Sequence, residues 1–262
     1  MTEPHITFSF GKNWQAFQGS MRPDAVDEAM RDIREWLGPD GLRGKRVVDV
    51  GSGSGLSSLC FHRAGAEQVV SFDVDPASVE ATARLWRAEG MPPSWRVSAA
   101  SILDPTLPDR IGVFDVVYSW GVLHHTGAMW SALDQVCKLV APGGRLWITL
   151  YQKGPRYEEH LALKRRYNEG SALRRSAMVT RLVALSLWVH VLRHKESPFT
   201  WNRGAGRGMN RYHDTIDWLG GLPYEVAATA EVVAACSERV LTSIRTKEAD
   251  EGGCSGYLFS RG

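Results

Sequence analysis

The strongest constraint on the fold of this chain is a rhythm. Through the first 151 residues, short apolar runs alternate with amphipathic helical patterns. "RVVDVG" (46–51), "QVVSFDV" (68–74), "WRVSAA" (95–100), "FDVVYSW" (114–120) and "GRLWITLY" (144–151) are rich in β-branched and aromatic residues and bounded by turn formers, so each reads as a buried strand. Between most of them the spacing predicts helices over Leu56–Ala64, Pro76–Glu89 and Gly127–Val140, the last with Trp130, Leu133, Val136, Cys137 and Val140 on one face. Helix-length connections carry the chain back to start a parallel strand, so a parallel sheet covered on both faces is predicted. A further helix is expected over Pro23–Leu37, where Val26, Ala29, Met30, Ile33, Trp36 and Leu37 recur at helical spacing before Gly38-Pro39.

After Tyr151 the rhythm breaks. Residues 154–196 read as helices, and "MVTRLVALSLWVHVL" (178–192) is an apolar run too short, and interrupted by Arg181, to span a bilayer. It is expected to be a buried cap helix or a homodimer contact, with a membrane-surface helix as the alternative. "WNRGAGRGMNR" (201–211) reads as a glycine-arginine loop. "AEVVAACSERV" (230–240) reads as a helix, and "LTSIRTKE" (241–248) with "GCSGYLFSRG" (253–262) as a closing antiparallel strand pair.

At 262 residues and 44% hydrophobic content, one main α/β domain is expected. A net charge of +2 is no nucleic-acid signal. Its distribution is uneven, because residues 152–196 hold ten Lys/Arg against four Glu, which leaves the rest of the chain at −4. The cysteines, Cys60, Cys137, Cys236 and Cys254, have no metal-like spacing and read as reduced thiols. With no signal-peptide pattern in "MTEPHITFSF" and no transmembrane run, a cytoplasmic protein is expected.

"VVDVGSGSG" (47–55) joins the first strand to a helix. Gly51, Gly53 and Gly55 let the backbone turn tightly and approach a ligand, and the helix N-terminus offers N–H groups to a negative moiety. The spacing is G-x-G-x-G, with Leu56 where a dinucleotide fingerprint calls for glycine, so the loop alone leaves several adenosine ligands open. Asp73 ends the second strand, where a carboxylate accepts ribose hydroxyls, while Asp75 is placed to cap the helix from Pro76.

Taken together, "VVDVGSGSG", "SFDVDP", "FDVVYSWGVLHHT" and "LVAPGGRLWITLY" resemble, in order and spacing, the class I S-adenosylmethionine-dependent methyltransferases over residues 44–151. The resemblance implies a Rossmann-like α/β fold with a seven-stranded, mostly parallel sheet of order 3-2-1-4-5-7-6, strand 7 antiparallel, and a helical cap after strand 5. It implies S-adenosylmethionine as cofactor, with Asp49, Gly51, Gly53 and Gly55 against its methionine part and Asp73 and Val74 at the ribose. Ser101 and Ile102 fall at the adenine, Ser101 standing where the family often has an acidic residue, and Ser119 and Trp120 at the amino-acid end. The expected division is an N-terminal helical lid (1–43), the cofactor core (44–151), a substrate cap with a dimer contact (152–221) and a closing helix and strand pair (222–262). In "FSFGKNWQAF", Trp14 and Phe17 share a helical face and suit either an aromatic lid or ordinary packing.

Methyl transfer requires mainly that the acceptor be aligned, and for an oxygen acceptor that a proton be removed. His124 and His125 follow strand 4 at the carboxyl edge of the sheet, where such folds bind ligands. With His213 they are the candidate bases or acceptor-orienting groups; closing a turn is the alternative role for the pair. No metal is expected. Arg203, Arg207, Arg211 and Tyr212 are candidate substrate contacts suited to an anionic acceptor. The expected activity is methylation of a small metabolite, a sugar or natural-product intermediate, at a hydroxyl. An N-methyltransferase and a non-methylating cyclase remain alternatives, and an RNA methyltransferase or a non-catalytic binding module is less favoured.

Overall fold

Seven strands, β1 (Arg46–Val50), β2 (Gln68–Asp73), β3 (Trp95–Ala99), β4 (Phe114–Trp120), β5 (Val140–Tyr151), β6 (Leu241–Lys247) and β7 (Cys254–Arg261), form one sheet in the order β3-β2-β1-β4-β5-β7-β6. This computed structural model describes residues 11, 13, 14, 18, 24–193, 195, 197, 200, 201 and 211–262. Strands β1 to β5 pair in parallel, and β7 runs antiparallel to both β5 and β6. The order reverses at β1 and β4, which opens a crevice at their carboxyl ends.

The helices are α1 (Ala25–Leu37), α2 (Leu56–Arg63), α3 (Pro76–Ala88), α4 (Leu107–Ile111), α5 (Met129–Lys138), α6 (Tyr157–Asn168), α7 (Ala172–Trp188), α8 (Arg211–Gly220) and α9 (Thr229–Ser237). Strand residues alternate between two cores. Val47, Val116, Trp147 and Leu258 pack with Ala29, Ile33 and Trp36 of α1 and with Leu59 and Phe61 of α2. Val48, Val117, Ile148 and Phe259 pack on the other face with Leu133 and Val136 of α5 and Val232 of α9. The period of two in each strand thus fills both layers, as strands buried on both faces require.

Asp75 caps α3, its Oδ1 accepting the N–H of Ala77 at 2.9 Å. Strand β5 begins at Val140, not at Gly144 as the sequence pattern suggests. The extra residues carry Gly143 at φ +72° and face an irregularity between Phe114 and Val116, a bulge that the glycines conceal in sequence. Helix α4 has too few residues to show a period. The cap has its own small core, in which Tyr167 of α6 and Val179 of α7 pack with Leu219 of α8.

Candidate active site

The loop after β1 turns on backbone that only glycine adopts without strain: Gly51, Gly53 and Gly55 have φ of +74°, +54° and +77°. A Cβ on Gly51 would lie 2.4 Å from the Val122 side chain, and one on Gly55 would lie 2.8 Å from the Thr82 backbone. Gly53 donates its N–H to Asp73 Oδ2 at 3.0 Å, and Asp75 donates its own to Asp73 Oδ1 at 2.9 Å. Two fixed N–H groups therefore aim this carboxylate. Burial raises its pKa to about 6, against the opposing pull of those N–H groups. Beneath the loop, Asp49 accepts from Ser58 Oγ at 2.5 Å, Ser58 bonds Ser71 at 2.7 Å, and Trp95 Nε1 donates to Ser71 at 2.9 Å.

These residues line a cavity of about 1620 Å³ at the carboxyl edge of the sheet. Its wall includes Asp49, Gly51, Gly53, Asp73, Val74, Ser101, Ile102, Trp120 and Trp14 of the expected cofactor set. Gly55 and Ser119 stand off it: Gly55 is the N-cap of α2, and Ser119 Oγ donates to the Val50 carbonyl inside the sheet. Ser101 Oγ accepts the N–H of Leu103, and Asp104, also on the wall, pairs with Arg110.

The chain before α1 crosses the loop. Gly11 donates its N–H to Asp75, and Gln18 donates to the Ser54 and Ala81 carbonyls. The Trp14 indole lies 3.1 Å from where a Gly53 Cβ would stand. Phe17 falls outside the described residues. Asn13 ties this segment to the cap, donating to Asp217 Oδ1 at 2.8 Å and to the His213 carbonyl, and its Oδ1 accepts from His213 Nδ1 at 2.7 Å. His213 is therefore placed behind the cavity wall, where its hydrogen bonds to Asn13 link two segments.

The histidine pair forms a single 3₁₀ turn, Leu123–His125, and its two rings part company. His125 reaches the cavity wall. Its Nδ1 lies 2.7 Å from the Pro223 carbonyl, which only accepts, so Nδ1 carries the proton and the imidazole lone pair sits on Nε2. Burial, with the Lys164 cation nearby, lowers its pKa to about 3, so the ring is neutral at physiological pH. His124 is fully buried off the wall, its ring 4.0 Å from that of Tyr151, and burial holds it neutral as well. The turn is pinned from one side by "LPYEV" (222–226): Glu225 donates its N–H to the His124 carbonyl, and its carboxylate accepts the N–H of Met129.

Sequence reasoning missed the charge behind this turn. Lys164 on α6 is fully buried, its Nζ donating to the Trp218 carbonyl and lying 4.5 Å from the Tyr224 ring centroid, 4.6 Å from Trp218 and 5.3 Å from Tyr151. Burial lowers its pKa to about 7, and Cys254 and Asp217 oppose the shift. The available signal was its spacing: Leu161, Lys164 and Tyr167 fall on one face of α6, where a lysine among inward residues is the exception.

Beyond the expected cofactor set the cavity is walled by His125, Tyr151, Asp214, Asp217 and Trp218, by Asp24 at the N-cap of α1, and by Glu28, Asp32 and Trp36 of α1. Arg203 and Arg207, the main grounds for an anionic acceptor, lie outside the described residues. Arg211 and Tyr212 begin α8 away from the wall, and the Tyr212 ring packs at 5.5 Å from His213. Among the described residues no cluster of His, Cys, Asp and Glu is arranged to hold a metal ion, and no disulfide joins any of the four cysteines.

A glycine cradle closed to larger side chains, a carboxylate aimed at the ribose position and this strand order together fit the adenosyl cofactor and define a class I S-adenosylmethionine-dependent methyltransferase. The chain belongs to the family described as Methyltransferase domain, whose model matches residues 22–189. It is 30% identical over 212 residues to the tRNA U34 carboxymethyltransferase of Idiomarina loihiensis, covering 75% of this chain and 60% of that protein. It is 35% identical over 115 residues to the ubiquinone biosynthesis O-methyltransferase of Xanthomonas euvesicatoria pv. vesicatoria, covering 44% and 46%. The chain thus spans less than two thirds of the length of these relatives. The structure of magnesium protoporphyrin IX methyltransferase from Synechocystis, solved with bound S-adenosylmethionine, shares the fold at a TM-score of 0.55 and 14% identity, covering 96% of this chain and 90% of that one.

Proposed function

We propose that this methyltransferase methylates a hydroxyl of a small metabolite, such as a sugar or a natural-product intermediate, with His125 as the group that receives the acceptor's proton. The observation that carries this is the hydrogen bond from His125 Nδ1 to the Pro223 carbonyl in the cavity wall, which fixes the tautomer with its lone pair on Nε2. Bound S-adenosylmethionine supplies a methyl group activated by positive sulfur. Asp49, Gly51, Gly53, Asp73, Val74, Ser101, Ile102 and Trp120 would hold it, and Trp14 closes over the glycine loop. His125 Nε2 would accept the hydrogen of the acceptor hydroxyl and so orient its oxygen. As that oxygen gains carbon its O–H becomes strongly acidic. The bond then breaks with the proton passing to Nε2, and a weakly basic imidazole is sufficient. Tyr151, Trp218 and Trp36 exclude water around this step.

A second reading, a tRNA acceptor, is favoured by the similarity to a tRNA-modifying relative and by the exposed arginines of α6 and α7. One experiment separates the two. Purified protein with S-adenosylmethionine is offered phenols, polyols and sugars, primary amines and bulk tRNA, and each product is weighed by mass spectrometry. Gain of one methyl on a hydroxylated small molecule is expected; methyl gain confined to tRNA or amines, or none, rejects the proposal.

A further inference from the structure

The cap carries a surface that methyl transfer does not use. Helix α7 and the π-helical turn Val189–Arg193 after it present apolar side chains on two opposite sides. One side packs inward, with Met178, Val179, Leu182 and Val183 against the cap core and Ser186 and His190 bonded to Trp201, Ser197 and Thr200. The other side faces out, with Leu173 82%, Leu185 54%, Trp188 56% and Leu192 60% exposed. Arg174 and Arg181 fall on this outer face at helical spacing from Leu185 and Trp188, and Arg175 and Arg193 stand beside it, all exposed. From Gly170 to Arg193 the chain holds four arginines and no acidic residue.

We propose that the outer face of α7 docks on an anionic phospholipid surface, with Leu185, Trp188 and Leu192 entering the headgroup boundary and Arg174, Arg175 and Arg181 on lipid phosphates. Large exposed apolar side chains bordered by arginine, in a chain whose remainder is net acidic, are the composition of a helix that lies in the interface. Ala172–Arg193 is long and apolar enough to cross a bilayer by composition. Its inner side is nevertheless committed to α8, and Arg181 sits mid-helix, so it lies on the surface instead. A symmetric second copy would bury Arg174, Arg175 and Arg181 in a patch that holds no acidic residue to pair with them. RNA would find a single stacking ring, Trp188, among Leu173, Leu185 and Leu192, which offer its bases neither hydrogen bonds nor stacking.

The test is co-sedimentation of the full chain with vesicles of phosphatidylcholine alone or mixed with phosphatidylglycerol, beside light scattering for mass and a filter assay with bulk tRNA. Binding is expected only to the mixed vesicles and should weaken as salt rises. Arg174→Glu or Arg181→Glu should each lower partitioning at least about fivefold, and Leu185→Glu with Trp188→Glu should abolish it. Both sites are exposed, and unchanged S-adenosylmethionine binding by calorimetry verifies that the variants are folded. The proposal is overturned by no binding to mixed vesicles, by equal binding to neutral ones, by a dimer that Trp188→Glu dissociates, or by salt-sensitive tRNA binding without vesicle binding.

Discussion

The donor end and the acceptor end of the cavity are built in opposite ways. Around the donor, Asp49, Gly51, Gly53 and Asp73 lie within 25 residues, and their positions follow from strand ends and one glycine turn. Around the proposed acceptor end, His125, Tyr151, Lys164, Trp218 and Pro223 come from five separate segments and are held by side-chain-to-carbonyl bonds and edge-to-face rings. The first end is specified by backbone geometry. The second exists only once the cap has packed, so it is free to differ among enzymes that share the first.

The sharpest way to separate the two ends is His125→Ala. The proposal predicts a loss of about 10²–10⁴-fold in turnover, with S-adenosylmethionine affinity by calorimetry unchanged. Equal losses in both would place His125 in the donor end. Gly51→Ala should do the reverse, weakening cofactor binding first. It puts a side chain at φ +74°, costing about 1–2 kcal/mol, and brings its Cβ against Val122. Adding Val122→Ala should recover the contact part of the loss of thermal stability and leave the backbone part. Full recovery would show that φ at Gly51 is not limiting.

Asp73 supplies a pH handle on the donor end alone. Its pKa, raised to about 6, means that the empty protein takes up a proton there as pH falls, whereas in the proposed cofactor site the ribose hydroxyls would donate to the carboxylate. Cofactor affinity is therefore expected to be level above pH 7 and about tenfold weaker at pH 5. Asp73→Asn should bind weakly at both values and remove the slope. A wild-type profile that is flat from pH 5 to 7 would contradict the raised value.

The same contrast explains what could be read in advance. The strands β1 to β5, the glycine loop and the strand-end Asp73 were legible because alternation, a glycine turn and a carboxylate after a strand are local signals, whereas the sheet order came from the resemblance to the methyltransferase class. The strand pair at the C-terminus was legible from its own period. His124 and His125 were visible as a pair but not as two different residues, since only Pro223, 98 residues away, decides that one ring holds its tautomer at the wall. His213 looked like chemistry because histidine titrates near neutrality. Its partner, Asn13, lies 200 residues away and turns it into a structural link. Lys164 was counted as one more surface charge, because composition does not say which lysine of a basic helix turns inward.

Lys164 provides the smallest but most discriminating measurement, because it belongs to the acceptor end without lining it. Its pKa is lowered from 10.5 to about 7 on folding, so between pH 7 and 10.5 the unfolded chain binds the proton that the folded one has lost. Stability must then rise with pH across that window, by at most on the order of 5 kcal/mol. Lys164→Met removes the slope, and its stability at pH 7 is expected to match or exceed that of the wild type, since the aromatic cage accepts an apolar chain. Denaturant unfolding of both proteins at pH 7 and pH 9 reads the difference. If Lys164→Met keeps the wild-type slope, the lysine is solvated; if it loses the slope and also slows turnover, the buried charge helps set the polarity around His125 and the cap is part of the reaction chemistry.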